Sequence, residues 1–138
     1  YPKEIKAGSV NEALCSNVDF APTLLDIAGV TIPKAMQGIS LRPLLQGKKP
    51  ANWRKGTWYA YWATGHFHWG VRTTRHKLIR FPGTTDYEFY DLKKDPFEMH
   101  NLAGNQDYQE AIAGTGQLLE NLIKQVDIKP EQMPGAKK

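Results

Sequence analysis

Hydrophobic positions change their period as the chain is read from one end to the other. Near the start, Ala21, Leu24, Leu25 and Ala28 fall at i, i+3, i+4 and i+7, the spacing of one helix face. The pattern predicts a short helix from Asn17 to Gly29. Asn17 or Asp19 would accept from the free amides of its first turn, and Gly29 would end it in a left-handed conformation. Pro22 is compatible because it lies in that first turn, where no intrahelical N–H is lost. Residues 30–51 contain Pro33, Gly38, Pro43, Gly47 and Pro50, which predicts a loop with at most one helical turn near Leu41 to Leu45.

From Trp53 the chain becomes aromatic and β-branched. Strands are expected over Thr57 to Ala63, Trp69 to Thr74, Lys77 to Phe81 and Tyr87 to Leu92, with Pro82-Gly83 turning the chain before the last. Alternation in the first would send Trp58, Ala60 and Trp62 to one face and both tyrosines to the other. Helical spacing returns over Gln106 to Val126, where Thr115, Leu118, Leu119, Leu122, Ile123 and Val126 form a stripe extended backward by Ile112 and Tyr108. Gly114 and Gly116 each cost about 1 kcal/mol relative to alanine, so a bend or fraying is expected there. Pro130, Pro134, Gly135 and two terminal lysines predict a flexible tail over 128–138. The expected fold is α+β: a small antiparallel sheet of about four strands packed by a C-terminal helix.

Composition narrows the possibilities. The 138 residues, 41% of them hydrophobic, suffice for one domain with a real core. A formal net charge of +4 is mild, and the basic residues are scattered rather than blocked, which gives little support to a nucleic-acid or other polyanion site. No apolar run approaches a membrane span, and no secretory leader opens the chain. The single Cys15 excludes an internal disulfide. Because the first residue is Tyr1, the chain is expected to be a processed product or a piece of a longer polypeptide, and the compartment stays open.

Three segments in order carry a resemblance. They are Asn17-Val-Asp-Phe-Ala-Pro-Thr-Leu-Leu-Asp-Ile-Ala-Gly29, then Met36-Gln-Gly-Ile-Ser-Leu-Arg-Pro-Leu-Leu45. The third joins Gly70-Val-Arg-Thr-Thr-Arg-His-Lys-Leu-Ile79 to Glu88-Phe-Tyr-Asp-Leu-Lys-Lys-Asp-Pro-Phe-Glu-Met-His-Asn-Leu102. This series resembles the C-terminal end of the type I sulfatases, closest to the bacterial glycan sulfatases, within the alkaline-phosphatase-like superfamily. The resemblance implies that residues 1–52, with the helix near 17–28, are the end of the large α/β catalytic domain and its connector. Residues 53–127, including the helix at 106–126, would be the C-terminal subdomain. It further implies a sulfuric ester hydrolase that uses a formylglycine nucleophile and calcium, both supplied upstream of this chain, in a periplasmic or secreted protein. The nucleophile motif C-x-P-S-R occurs nowhere here, and Cys15-Ser-Asn-Val-Asp19 lacks its Pro and Arg. No catalytic or metal-binding residue is therefore expected on this chain, and alone it should be inactive.

The same resemblance places the residues before Gly70 at the rim of the sulfatase cleft, which makes His66, His68, Trp69 and Arg72 the substrate-binding candidates. Imidazoles can donate to sulfate or hydroxyl oxygens, and an indole can stack on a sugar. Against this, the loop could be merely polar and the Trp a core residue. Arg72, Arg75 and Arg80 suit oxyanion contacts, but Arg72 and Arg80 in strands more commonly pair with Glu88 or Asp91. Asp91, Asp95 and Glu98 read as turn and sheet-edge residues, and Asp19 and Asp26 as a cap and a solvated helix position. Expected partners are the catalytic domain and a sulfated small molecule or glycan, with no nucleic acid or membrane. Self-association through the helix at 17–28 would follow if Leu24, Leu25 and Ile27 stay exposed. Two alternatives are a standalone module binding sulfated glycans through Trp58, Trp62, Trp69, the histidines and the arginines, and a piece of a related phosphate or phosphonate ester hydrolase.

Overall fold

The computed structural model describes residues 1–63 and 65–136. The chain divides into two compact units, Tyr1–Lys55 and Gly56–Lys138. Trp53 and Arg54 are bonded back into the first of these units. The Trp53 indole donates to the Leu14 carbonyl at 2.8 Å, and Arg54 Nη2 donates to Asp19 Oδ1 at 2.5 Å.

In the first unit a 3₁₀ turn, Asn17–Asp19, leads into α1 (Phe20–Ile27). Asp19 is more than a cap. Its fully buried carboxylate also accepts from the amides of Ser16 (2.7 Å) and Ile39 (2.9 Å). The Thr23 hydroxyl donates to the Asp19 carbonyl and accepts from the Leu41 amide at 2.8 Å. These bonds fix which side of α1 is buried: Pro22 and Thr23 are inside, whereas Phe20 and Leu24 are 60% and 67% exposed. The apolar stripe read from sequence is thus largely outward in this unit. Gly29, at φ +70°, ends the helix as expected, its amide donating to the Asp26 carbonyl. Asp26 is not simply solvated, since Ser40 Oγ donates to it at 2.5 Å and Arg42 Nη1 at 3.0 Å. Arg42 opens α2 (Arg42–Leu45), the single helical turn of the long loop.

The second unit is a meander of β1 (Thr57–Tyr61), β2 (His68–Arg72), β3 (His76–Arg80) and β4 (Tyr87–Asp91), in that spatial order and antiparallel throughout. Pairing aligns Trp58, Val71, Leu78 and Phe89 across the sheet. Val71, Leu78 and Phe89 form the core with Ile112 and Leu119 of α3 (Gln109–Gln125), and Trp58 packs against them. Burying such large side chains stabilises the unit by roughly 1.5–3 kcal/mol each. A 3₁₀ turn at Gln106–Tyr108 precedes α3, with Asn105 Oδ1 accepting from the Asp107 amide at 2.9 Å. The helix runs unbroken through Gly114 and Gly116, because Ile112, Thr115 and Leu119 bury on either side of them.

The motif after β4 closes the sheet edge. Leu102 donates its amide to the Phe89 carbonyl at 2.8 Å, and Asn101 Oδ1 accepts from the Phe89 amide at 3.1 Å, so the outer edge of β4 is paired rather than open. Beyond α3 the segment read as a loose tail has a 3₁₀ turn at Pro130–Gln132, and Pro134 is buried. Its last two residues lie outside the described part. Among the described residues no helix is long and apolar enough to cross a membrane.

Candidate functional site

Strand alternation sorts the four candidate residues. Trp69 shares its face with Val71 and, half-buried, packs against the α3 core. His68 and Arg72 share the opposite face but begin and end β2, about 13 Å apart along a strand. His66 is exposed just before the strand. The structure therefore brings His66 and His68 together and leaves Trp69 and Arg72 apart from them.

Three aromatic rings border the half-buried His68. Its ring centroid lies 5.1 Å from that of Tyr61, its cross-strand partner, 6.0 Å from Tyr59 in an edge arrangement, and 6.2 Å from Phe81. Its Nδ1 lies 2.9 Å from the His66 carbonyl oxygen, a bond to the backbone of His66. Tyr61 is half exposed, so the cluster meets solvent. Tyr59 and Phe81 were not candidates from sequence; pairing of the two strands puts both tyrosines on the His68 side.

Tyr59 can lie across the sheet because position 70 has no side chain. A Cβ there would sit 2.7 Å from the Tyr59 hydroxyl. Burial pushes the Tyr59 hydroxyl's pKa up, which keeps it protonated. Lys77 Nζ lies 5.9 Å from the centre of the Tyr59 ring and donates to Glu98 at 2.6 Å. Burial, followed by its hydrogen bond to Glu88, pushes Tyr90 up to about 12.

The acidic residues are engaged in the fold. Asp91 is fully buried and accepts from Arg75 Nη2 at 2.9 Å, Tyr108 Oη at 3.3 Å and the Lys93 amide at 3.2 Å. Its partner is Arg75, not the strand residues Arg72 or Arg80. Arg80 instead lies over the Tyr87 ring at 4.8 Å. Asp95 Oδ2 accepts from the His100 amide at 2.8 Å, and Glu98, at φ +56°, is held by Lys77.

A family model described as N-sulphoglucosamine sulphohydrolase, C-terminal, matches residues 1–125. The chain is 47% identical over 133 residues to the N-acetylglucosamine-6-O-sulfatase of Bacteroides thetaiotaomicron, covering 91% of this chain and 24% of that protein. The chain belongs to the sulfatase family, as its C-terminal region. It is also 37% identical over 115 residues to the Delta 4,5-hexuronate-2-O-sulfatase of the same bacterium, covering 77% of this chain and 23% of that protein. A structure solved in complex with its substrate, D-glucosamine-2-N,6-O-disulfate, superposes with a TM-score of 0.87 at 45% identity, over 92% of this chain and 27% of that one. The phosphonate monoester hydrolase of Agrobacterium radiobacter superposes at 0.70 with 27% identity, over 83% of this chain and 26% of that one, a superfamily link. The chain thus spans about a quarter of the length of the curated sulfatases it matches.

The sulfatase cofactors do not fit the residues present. Calcium needs several converging oxygen ligands. Among the described residues no three His, Cys, Asp or Glu side chains are grouped to hold a metal. Exposed Cys15 lacks the flanking sequence of a formylglycine site.

Proposed function

We propose that this chain is the substrate-flanking C-terminal region of a sulfatase that hydrolyses sulfate esters of carbohydrates, with an O-sulfated amino sugar as substrate. The observation that carries the proposal is the 47% identity to an N-acetylglucosamine-6-O-sulfatase along 91% of the chain. In this account the upstream polypeptide supplies the formylglycine and the calcium. Electrostatic stabilisation of the sulfuryl group takes place there. The present chain contributes the rim, where His66 and His68, backed by Tyr61, contact the sugar beside the sulfate. Such contacts bind ground state and transition state alike, so they act on KM more than on kcat.

The test compares the longer sulfatase polypeptide with its His66→Ala variant on N-acetylglucosamine-6-sulfate and on a small aryl sulfate. The variant is expected to raise KM for the sugar and leave the aryl sulfate unaffected. Equal losses on both substrates would refute the rim role. Hydrolysis of phosphonate monoesters in preference to either sulfate would favour the related hydrolase class instead. The 138-residue chain alone should release no sulfate.

A further inference from the structure

We propose that the turn after β4 is a docking tip, whose exposed Phe97 and Met99 seat in an apolar recess of the sulfatase polypeptide preceding this chain. The proposal rests on the family assignment and is independent of which sugar is cleaved. Phe97 is 83% exposed and Met99 74%. Apolar side chains scattered singly over a surface need no explanation. These two stand on one short turn, and that turn is built to hold them out.

The Asp95 amide donates to the Asp91 carbonyl at 2.8 Å, and the Asp95 carboxylate accepts from the His100 amide at 2.8 Å. The Asp95 carbonyl accepts from the Glu98 amide at 3.2 Å. Glu98 adopts φ +56°, a region that L side chains rarely enter, and Lys77 Nζ donates to its carboxylate at 2.6 Å. Glu98 thus turns back to the sheet, while its neighbours on either side stay in solvent. Past the turn, Asn101 and Leu102 are bonded to Phe89, so both ends of the segment are anchored to β4. Side chains held in place before contact lose little conformational freedom on docking, which suits this pair to the role of anchors.

What covers the pair follows from length. The chain matches the N-acetylglucosamine-6-O-sulfatase over 91% of its own residues but only 24% of that protein, so most of that relative has no counterpart here. A surface carried on the same polypeptide meets the turn at a high effective concentration, on the order of millimolar for a short connection. A second copy must instead be met in free solution. The same polypeptide is therefore the favoured occupant.

Peroxide oxidation of Met99 tests this. Hydrogen peroxide converts an accessible thioether to the sulfoxide, and mass spectrometry of the peptide carrying Met99 gives the rate. In the 138-residue chain, Met99 should oxidise as fast as methionine in an unstructured peptide. In the longer sulfatase polypeptide it should react at least about tenfold more slowly, because the thioether is reached only when the docked surfaces open. Phe97→Ser in the longer polypeptide should restore most of the lost rate. The same substitution in the 138-residue chain should leave its urea midpoint near wild type, since the side chain it removes is exposed. Equal Met99 rates in the two wild-type proteins would overturn the proposal and leave the sulfatase assignment intact. Protection within the 138-residue chain that grows with its concentration would overturn it in favour of a second copy. Protection that survives unchanged in Phe97→Ser would overturn the paired anchor. Sulfate release enters none of these rates, so failure of the substrate assignment would leave the result standing.

Discussion

Adding one methyl group at Gly70 and the same group at Gly114 should move stability in opposite directions. Gly70 lies in the second strand, between Tyr59 and Ile79 in the ladder. A Cβ there would fall 2.2 Å from the Leu78 carbonyl oxygen and 2.7 Å from the Tyr59 hydroxyl. The first contact is with backbone, which cannot rotate away, so relief requires the second and third strands to separate or shear. Overpacking of this kind costs about 1–3 kcal/mol, and a backbone collision belongs at the upper end. Alanine's smaller unfolded-state entropy offsets about 0.5–1 kcal/mol, leaving Gly70→Ala roughly 2 kcal/mol less stable. Gly114 lies within the C-terminal helix, where an added Cβ meets nothing within 4 Å. Gly114→Ala should therefore stabilise by up to about 1 kcal/mol. Urea titration followed by tryptophan fluorescence reads both, since Trp58 and Trp69 pack on this core. With a slope of 1–3 kcal/mol per molar, Gly70→Ala should lower the midpoint by about 1 M. A Gly70→Ala midpoint at or above wild type would refute the close approach and the placement of Tyr59 built on it.

Arg54→Ala should destabilise the first unit by about 3–5 kcal/mol, because it strips the ion-pair partner from a fully buried Asp19 carboxylate. Chemical denaturation would check it, and a loss under 1 kcal/mol would contradict the pairing. Stability of the second unit should fall in acid through Asp91, which the Arg75 guanidinium holds down to about 2. A lowered folded-state pKa means that this contribution is complete above the ordinary carboxylate value near 4 and disappears as pH falls toward 2. Urea midpoints of Asp91→Asn should lack that component of the acid slope, and an unchanged slope would remove Asp91 from the account. Phe20 and Leu24, 60% and 67% exposed, predict concentration-dependent association of the 138-residue chain. Replacing both by Ser should lower its light scattering, whereas equal scattering would show that this face does not mediate association.

Sequence and structure agree most closely where local rules suffice. Alternating side chains in 57–61 and 87–91 gave strands with only their ends misplaced, and Gly29 ended its helix as its backbone freedom predicts. Contacts between distant residues were less legible. Nothing in the sequence near Asp19 points to Arg54, and Arg75 lies in the turn before the third strand, outside the strand pairs considered for Asp91. The apolar stripe of the first helix was real, but its orientation depended on what Asp19 and Thr23 bond to. At the candidate site, the sequence pattern starts the strand at Trp69 and leaves His68 in a loop with no face assigned, whereas the strand begins at His68. Their adjacency in sequence concealed a separation that the pleat imposes. The aromatic neighbours of His68 depend on register as well, which a short run of residues does not reveal.

Sulfate release, followed by ion chromatography, tests the central claim most directly. The longer polypeptide, bearing formylglycine and supplied with calcium, would be incubated with N-acetylglucosamine-6-sulfate beside the 138-residue chain alone. The account predicts stoichiometric sulfate and free N-acetylglucosamine from the former and none from the latter. Sulfate released by the 138-residue chain itself, or an active longer polypeptide that cleaves phosphonate esters and no sulfated sugar, would contradict it.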